Sequence, residues 1–378
     1  MKIAFDAKRF YNNATGLGFY SRTLVNSLRL FYPHHDYLLY TPYDKGRLVA
    51  DKKGMRLPDS WFGRLTHPLW RSKHMVSQLK RDAVSLYHGL SHELPIGLKK
   101  AGIPGVVTMH DLIFLRYPEF YPALDHFFYQ KKYNRSAHAA DIVVAISEQT
   151  RSDVAEFFKV PLARIKVIGQ SCDPVFSALS LFKHPDRGQF PLPADLDIPD
   201  ADYLIAVGSL TPRKNWHRLI EALALVREAG VDIPLVAVGA GNSPYAQSLV
   251  ELAVSKKVKV FWVKRHLPSD QLSCLYRRAN ALVYPSVFEG FGIPILEALT
   301  CGIPVVTSQG SCFSEVGGQA ALYTDPSDPA SLADGIFQVL TSTTRRQLLA
   351  FAPEQVVKFS PEIICRQWMD VYEELVTI

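Results

Sequence analysis

The sequence predicts an α/β protein made of two Rossmann-like, doubly wound domains facing a central cleft. Three observations carry that prediction. Short apolar runs alternate with amphipathic helical patterns, the alternation is performed twice, and a stretch dense in proline and aspartate separates the two rounds. In the first round the runs are 3–5, 37–40, 86–87, 105–108, 142–146 and 165–168; in the second they are 203–207, 235–238, 258–261, 281–284 and 304–306. Runs rich in Val and Ile without polar alternation are strands buried on both faces, as in parallel sheets covered by helices. Residues 19–30, 215–228 and 268–278 have helical periodicity.

The separating stretch holds Pro185, Pro191, Pro193 and Pro199 among Asp186, Asp195, Asp197, Asp200 and Asp202. It can continue neither a helix nor a central strand and is read as an extended linker. The expected organisation is therefore a first domain over 1–184, a linker over 185–202, a second domain over 203–360 and a final helix within 361–378.

Composition agrees. With 378 residues, 48% hydrophobic and 21% charged, the chain is neither disordered, collagen-like nor a membrane bundle, and its length suits two cores. Lys and Arg number 42 against 36 Asp and Glu, a net charge of +6. That excess suits an anionic ligand or an acidic membrane surface; it is too diffuse for nucleic acid, and no nucleic-acid motif accompanies it. Cys172, Cys274, Cys301, Cys312 and Cys365 are scattered without zinc or redox spacing and read as reduced thiols of a cytosolic enzyme. The first residues run straight into a strand with no secretory hydrophobic stretch. The apolar segment 281–307 carries Glu289 and Glu297, so it is a buried strand–loop–helix–strand unit rather than a span. A cytoplasmic protein is expected, at most peripheral on the inner face of a membrane.

Ligands of doubly wound sheets bind at the carboxyl ends of the strands, so the residues after each run matter most. After the first run come Gly16, Leu17 and Gly18. These glycines let backbone N–H groups approach an anion at a helix start, and they suit a plain tight turn equally. After 105–108 comes Met109-His110-Asp111: His110 presents an imidazole at a strand end with Asp111 orienting it, or His110 is packed and Asp111 starts a turn. After 203–207 comes Gly208-Ser209-Leu210-Thr211-Pro212-Arg213-Lys214-Asn215. Adjacent cations before a helix start oppose the helix dipole unless an anion sits with them; the alternative is a solvated basic loop.

The segment 284–299 is the richest. A glycine loop follows a strand, Pro294 suits a first helical turn, and the N–H groups of Phe291, Gly292 and Ile293 face outward from that start, where a diphosphate can be held. Glu289 and Glu297 are costly in so apolar a segment unless hydrogen-bond donors meet them, and sugar hydroxyls are good donors. The competing arrangement bonds them to backbone or pairs them with basic side chains.

Together these residues resemble the GT4-type retaining glycosyltransferases (glycosyltransferase group 1) of the GT-B fold. The resemblance rests on Gly16 and Gly18, Met109-His110-Asp111, Ile146-Ser147-Glu148, the 208–215 segment, Glu289 and Glu297 with seven residues between them, and Glu315-Val316-Gly317-Gly318 ahead of Ala320-Ala321-Leu322. It runs over nearly the whole chain. It implies that Arg213 and Lys214 neutralise the diphosphate of a nucleotide-sugar donor, helped by Phe291 to Ile293 and by Gly16, Leu17 and Gly18. It implies further that Glu297 accepts from the ribose, that Glu289 and His110 contact the transferred sugar, and that the base rests near Val263, Lys264 and Arg265, with Ser209 on the donor side. The last helix is then expected to cross back to the first domain. One departure is Gln170-Ser171-Cys172-Asp173, where family members often carry Asn-Gly-Val-Asp; that loop is given no shared role.

Cleaving a sugar–diphosphate bond builds positive charge on carbon and negative charge on the departing phosphate, which Arg213, Lys214 and a helix start stabilise. No cofactor or metal is expected, since no Asp-x-Asp motif to hold a metal is found. The resemblance implies same-face displacement with retention, and because Pro-Arg-Lys-Asn, here 212–215, often accompanies mannosyltransferases in that family, it also favours mannose from GDP-mannose over UDP-glucose. The acceptor that the resemblance implies is a glycan or lipid-linked saccharide of polysaccharide or cell-envelope synthesis. Residues 44–82 hold ten basic and four acidic residues interleaved with Trp61, Phe62, Leu65, Leu69 and Trp70. This composition suits contact with an anionic lipid surface, or a solvated basic face over core aromatics. The rivals are a GT-B epimerase or phosphorylase, whose own carboxylate–histidine or pyridoxal-lysine motifs are not found, and a non-catalytic nucleotide-sugar-binding protein, which would have no reason to keep both glutamates and both cations.

Overall fold

The computed structural model describes residues 1–46, 48–177, 190–193, 195–198 and 200–377. The chain folds as two compact units, the first of residues 1–171 and 360–378, the second of residues 172–359.

The first unit is built on a parallel sheet of β1 (Lys2–Asp6), β2 (Asp36–Tyr40), β3 (Met55–Arg56), β4 (Leu86–Gly89), β5 (Gly105–Met109), β6 (Ile142–Ala145) and β7 (Ile165–Val167). Its order is β3-β2-β1-β4-β5-β6-β7, with Phe5 opposite both Leu39 and His88. β4, β5 and β6 are buried at every residue, as the unalternating apolar runs require. Trp70, Met75, Tyr87, Met109, Phe114 and Phe158 share its core. The final helix, Pro361–Thr377, buries Trp368, Met369 and Tyr372 and packs on the helix Gly16–Phe31 and on β4.

The second unit repeats the plan with β8 (Leu204–Val207), β9 (Leu235–Val238), β10 (Val260–Val263), β11 (Ala281–Tyr284), β12 (Val305–Ser308) and β13 (Ala321–Thr324), in the order β10-β9-β8-β11-β12-β13. Ile205 lies opposite Val236 and Leu282. Trp216, Leu219, Leu223, Leu235, Val283 and Ile336 form the core. Each sheet reverses its direction of winding once, between β1 and β4 and between β8 and β11. Those are the switch points where such sheets leave a crevice at their carboxyl ends.

Several local expectations shift. A short helix, Lys8–Asn12, follows β1 directly, and the long helix after it starts at Gly16 rather than Phe19, so the glycines form its first turn. The third strand of the second unit runs over Val260–Val263, two residues later than 258–261. β3 and β13 were not anticipated.

The change of unit falls at Ser171 and Cys172, ahead of residue 184. Arg277 donates to the Phe176 carbonyl, which ties this early stretch to the helix Ser269–Arg278. The same helix holds the proline-rich stretch. The Arg277 guanidinium lies 5.2 Å over the Phe190 ring, and Arg278 donates to the Phe190 carbonyl at 3.0 Å and pairs with Asp200. The described part of 185–202 is thus anchored, with Phe190 buried; Pro185, Asp186 and Pro199 lie outside the described residues.

Candidate active site

In the second unit the chain leaves β8 through Gly208, where a β-carbon would meet Lys214 Cε at 3.1 Å. Glycine lets the lysine stem pass close to the backbone. A turn of 3-10 helix, Pro212–Lys214, ends at Asn215, which adopts the left-handed conformation with φ 61° and begins the helix Trp216–Glu228. The Asn215 amide donates to the carbonyls of Pro285 at 3.0 Å and Pro326 at 2.7 Å, and Trp216 Nε1 donates to the Ser209 carbonyl at 2.9 Å. These bonds fix the turn against the loop after β11.

The turn delivers both cations to one carboxylate. Lys214 Nζ lies 2.6 Å and Arg213 Nη1 2.7 Å from Glu289 Oε1. Arg213 also donates to the Phe288 carbonyl at 2.6 Å, and Lys214 to the Tyr284 hydroxyl at 2.8 Å, with its ammonium 4.9 Å over the Tyr284 ring. Glu289 is 8% exposed. Burial would raise its pKa, but Arg213 and Lys214 outweigh that and hold it down at about 2. Burial lowers the pKa of Lys214, opposed by Glu289. Of the two arrangements open for Glu289, the pairing with basic side chains is the one present. Two cations share one anion, which leaves an excess positive charge at the carboxyl end of β8 and β11.

Glu297 behaves differently. It lies on the helix Ile293–Thr300, and its Oε2 accepts from the Tyr276 hydroxyl at 3.1 Å. Burial, with Asp173 adding repulsion, raises its pKa to about 8, so near neutrality it is largely protonated and becomes ionised when further donors reach it. That helix is preceded by Gly292 at its amino-terminal cap, whose φ of 95° suits glycine, with Phe291 buried just ahead and Pro294 in the first turn. Val263 ends β10 in a buried position and Lys264 is exposed. Arg265 pairs with Asp195 and reaches Gln271 Oε1 at 3.4 Å.

In the first unit Gly18 is buried, and its N–H is taken by the Thr15 carbonyl at 2.8 Å and Asn13 Oδ1 at 3.2 Å. A β-carbon there would fall 1.9 Å from the Asn13 carbonyl oxygen. Gly18 therefore serves the tight turn, while Gly16 is exposed and has open space around it.

His110 is 4% exposed, and its Nε2 donates to the Leu90 carbonyl at 2.8 Å. Burial and the neighbouring His92 push its pKa down to about 3, so the ring is neutral. Asp111 Oδ1 accepts from the Ile113 N–H at 3.2 Å, starting the turn. The ring is buried edge-on to Tyr20 at 4.7 Å, and it is the Leu90 carbonyl that holds its Nε2.

The sequence reading missed Tyr276, Tyr284, His88 and His92. Tyr284 ends an apolar run and His88 follows one, Tyr276 lies in the helix Ser269–Arg278 and His92 in the loop after β4, and none carries a local motif. Two Asp-x-Asp triplets do occur outside the strand-end loops, Asp195-Leu196-Asp197 and Asp200-Ala201-Asp202; Asp195 pairs with Arg265 and Asp200 with Arg278. Among the described residues no group of three or more His, Cys, Asp or Glu is placed to hold a metal, and no helix is long and apolar enough to cross a membrane.

Comparison with known proteins finds family matches for both units. The family of glycosyl transferases group 1 matches residues 192–353, and glycosyltransferase family 4 matches residues 15–175. The chain is 28% identical over 394 aligned residues to the O-antigen chain mannosyltransferase B of Escherichia coli, covering 99% of this chain and 100% of that one. It is 30% identical over 236 residues to the O-antigen chain mannosyltransferase RfbU of Salmonella typhimurium, covering 61% and 59%. Among solved structures, a sucrose-phosphate synthase from Thermosynechococcus elongatus superposes with a TM-score of 0.77 at 20% identity, over 100% of this chain and 99% of that one. With two doubly wound units, a cation pair at the β8–β11 switch point and family matches to both units, the chain belongs to the group 1, family 4 glycosyltransferases of the GT-B fold.

Proposed function

We propose that the protein transfers mannose from GDP-mannose, with retention, to a glycan or lipid-linked saccharide in polysaccharide or cell-envelope glycan synthesis. The observation that carries the reading is the convergence of Arg213 and Lys214 on Glu289 at the carboxyl ends of β8 and β11. A donor diphosphate would satisfy the excess positive charge there. As the sugar–oxygen bond breaks, negative charge grows on the departing phosphate, and fixed cations in a buried setting stabilise that state more than the bound donor. The positive charge comes from side chains, and no metal is assigned a step. The names of the O-antigen mannosyltransferase relatives support mannose and a polysaccharide acceptor.

In this reading the start of the helix Ile293–Thr300, the exposed Gly16 and the half-buried Leu17 supply N–H groups to phosphate oxygens. Glu297 accepts from the ribose hydroxyls, Val263, Lys264 and Arg265 border the base, and Ser209 lies beside the donor. Glu289 and His110 contact the transferred mannose. Displacement on one face of the sugar needs no carboxylate nucleophile and retains the α configuration.

The protein would work at the cytoplasmic face of a membrane. Trp61 is 73% and Leu65 71% exposed, with Leu69 also exposed and Arg64, Lys73 and Lys80 exposed nearby in sequence; Trp70 is buried and belongs to the core. Apolar side chains among cations suit peripheral contact with anionic lipid.

A thermal-shift screen against GDP-, UDP- and ADP-sugars tests the donor, because a ligand of the native state raises the melting temperature. GDP-mannose is expected to give the largest shift, and a screen in which no nucleotide sugar shifts the transition refutes the donor site. Proton NMR of the first product formed tests retention, which requires an α-anomeric signal.

A further inference from the structure

We infer that His92 is a positioning residue that locks His110 at the end of β5 by accepting a hydrogen bond from the His110 backbone. The inference rests on the role proposed above for His110 and adds the residue that sets its orientation.

Two strand-end loops grip each other here. From the loop after β4, the Leu90 carbonyl accepts from His110 Nε2 at 2.8 Å. From the same loop, His92 Nε2 accepts from the His110 N–H at 3.1 Å, with the Asp111 N–H at 3.5 Å. The His92 N–H donates to the Thr108 carbonyl at 2.9 Å, continuing the β4–β5 pairing one step past the sheet. One bond fixes the backbone of His110 and the other its ring, so the two together determine where the remaining imidazole nitrogen points.

His92 is built for this task at a cost to itself. It is buried at 6% exposure and holds a φ of 62°, in the left-handed region that a residue with a side chain adopts against a penalty. Its ring stacks on Tyr133 with centroids 4.4 Å apart and planes 15° from parallel. A ring that accepts through Nε2 carries its proton on Nδ1. Burial pushes its pKa down to about 3, so the acceptor nitrogen stays unprotonated through the working pH range. The groups facing it are Tyr133 on its stacked face, His110 and Asp111 on the acceptor side, and the cation of Arg9, which further disfavours protonation.

A second consequence concerns His110 itself. Since Nε2 donates to Leu90, Nδ1 carries the lone pair. Without His92 the backbone of His110 is free to shift, the bond to Leu90 is no longer held in line, and the ring samples both tautomers. A neutral imidazole meant to meet a sugar hydroxyl then presents the wrong nitrogen part of the time.

Two substitutions separate positioning from plain stability. His92→Asn suits the left-handed backbone but is too short to reach the His110 N–H; His92→Gln dislikes that backbone but carries an oxygen close to where Nε2 sits. Both lose the stack on Tyr133. Positioning predicts that kcat falls about 100-fold in His92→Asn with KM for the donor little changed, as expected when a reacting geometry is loosened. It also predicts that His92→Gln recovers about tenfold of that loss, the worth of one restored hydrogen bond, although its melting temperature is the lower of the two. A purely structural role predicts the reverse order, with turnover following melting temperature, and that order overturns the inference.

Nitrogen-15 NMR of histidine-labelled full-length protein reads the same point without activity. The His110 signals, assigned by their loss in His110→Ala, should report one tautomer in the wild type and a mixture in His92→Asn. A single unchanged tautomer in folded His92→Asn refutes the positioning role. If His110→Ala itself transfers mannose normally, the sugar-contact reading of His110 fails, while the NMR result still decides whether His92 orients it.

Discussion

Lys214 Nζ lies 2.6 Å from Glu289 Oε1, although 75 residues separate the two in sequence. The lysine is half-buried, donates to the Tyr284 hydroxyl and is fixed by a turn that Asn215 bonds to the loop after β11. Lys214→Ala should therefore lower transfer by about 100- to 1,000-fold, the scale of losing one preorganised charge at the leaving group. The fold should persist, because Arg213 still pairs with Glu289. Turnover equal to wild type in a variant with unchanged circular dichroism would refute the role.

Glu297 gives a pH prediction whose sign is opposite to that of Glu289. The Glu297 carboxyl rises from 4.5 to about 8 on folding, so between those values the native state holds a proton that the unfolded state lacks. Stability from this group is present below about 4.5 and declines as pH rises towards 8. Glu289 is depressed from 4.5 to about 2, so its contribution is present above 4.5 and fades as pH falls through 2. Above about pH 7, where the buried His92 and His110 are neutral in both the native and the unfolded state, stability should fall with rising pH in the wild type and not in Glu297→Gln. If ribose hydroxyls donate to Glu297, nucleotide binding near pH 7 should release protons, measured by calorimetry in buffers of different ionisation enthalpy. Binding with no proton release in wild type would count against that contact.

Gly18→Ala should destabilise the first unit by about 1–3 kcal/mol, the usual range for forcing atoms into filled space. Its β-carbon would meet the Asn13 carbonyl oxygen at 1.9 Å. Gly16→Ala, with open space around it, should leave the denaturation midpoint almost unmoved. Equal effects at the two positions would contradict the turn geometry.

The exposed Trp61 and Leu65 should govern lipid contact. Wild-type protein is expected to float with anionic liposomes at low salt, less so as salt screens the cations. A Trp61→Ser, Leu65→Ser double variant should stay in the dense fraction while keeping its melting temperature, since both side chains are solvent-facing. Flotation unaffected by the double change, or absent in wild type, removes the proposal.

The parts of this fold that could be read in the sequence are those with local cause. Unbroken apolar runs such as Ile142–Ala145 and Ala281–Tyr284 announced buried strands, and Pro294 after Gly292 announced a helix start. β3 is two residues long and carries no period to detect. The start at Gly16 was hidden because glycine ordinarily signals a loop, whereas here Asn13 Oδ1 accepts from the N–H groups of Thr15 and Gly18 and lets the helix begin early. The motif residues were legible, but their partners were not. Arg213 and Lys214 with Glu289, Glu297 with Tyr276, and Arg277 and Arg278 with the proline-rich stretch are pairings made by topology between distant segments. His92 belonged to no motif and was found through the backbone it holds.

The return of residues 360–378 to the first unit bears on how the protein is made. Tyr372 is hydrogen-bonded to His88 Nδ1 at 2.8 Å, and Trp368 packs on the same imidazole. The earlier-translated sheet therefore waits, with an open seam over β4, until the last helix leaves the ribosome. The later-translated unit, with its contacts confined to 172–359, does not depend on that helix. During biogenesis the nascent amino-terminal half is then the portion most dependent on holdase chaperones, and a stalled or nonsense-terminated message would yield a stranded half-molecule with its hydrophobic interior uncovered.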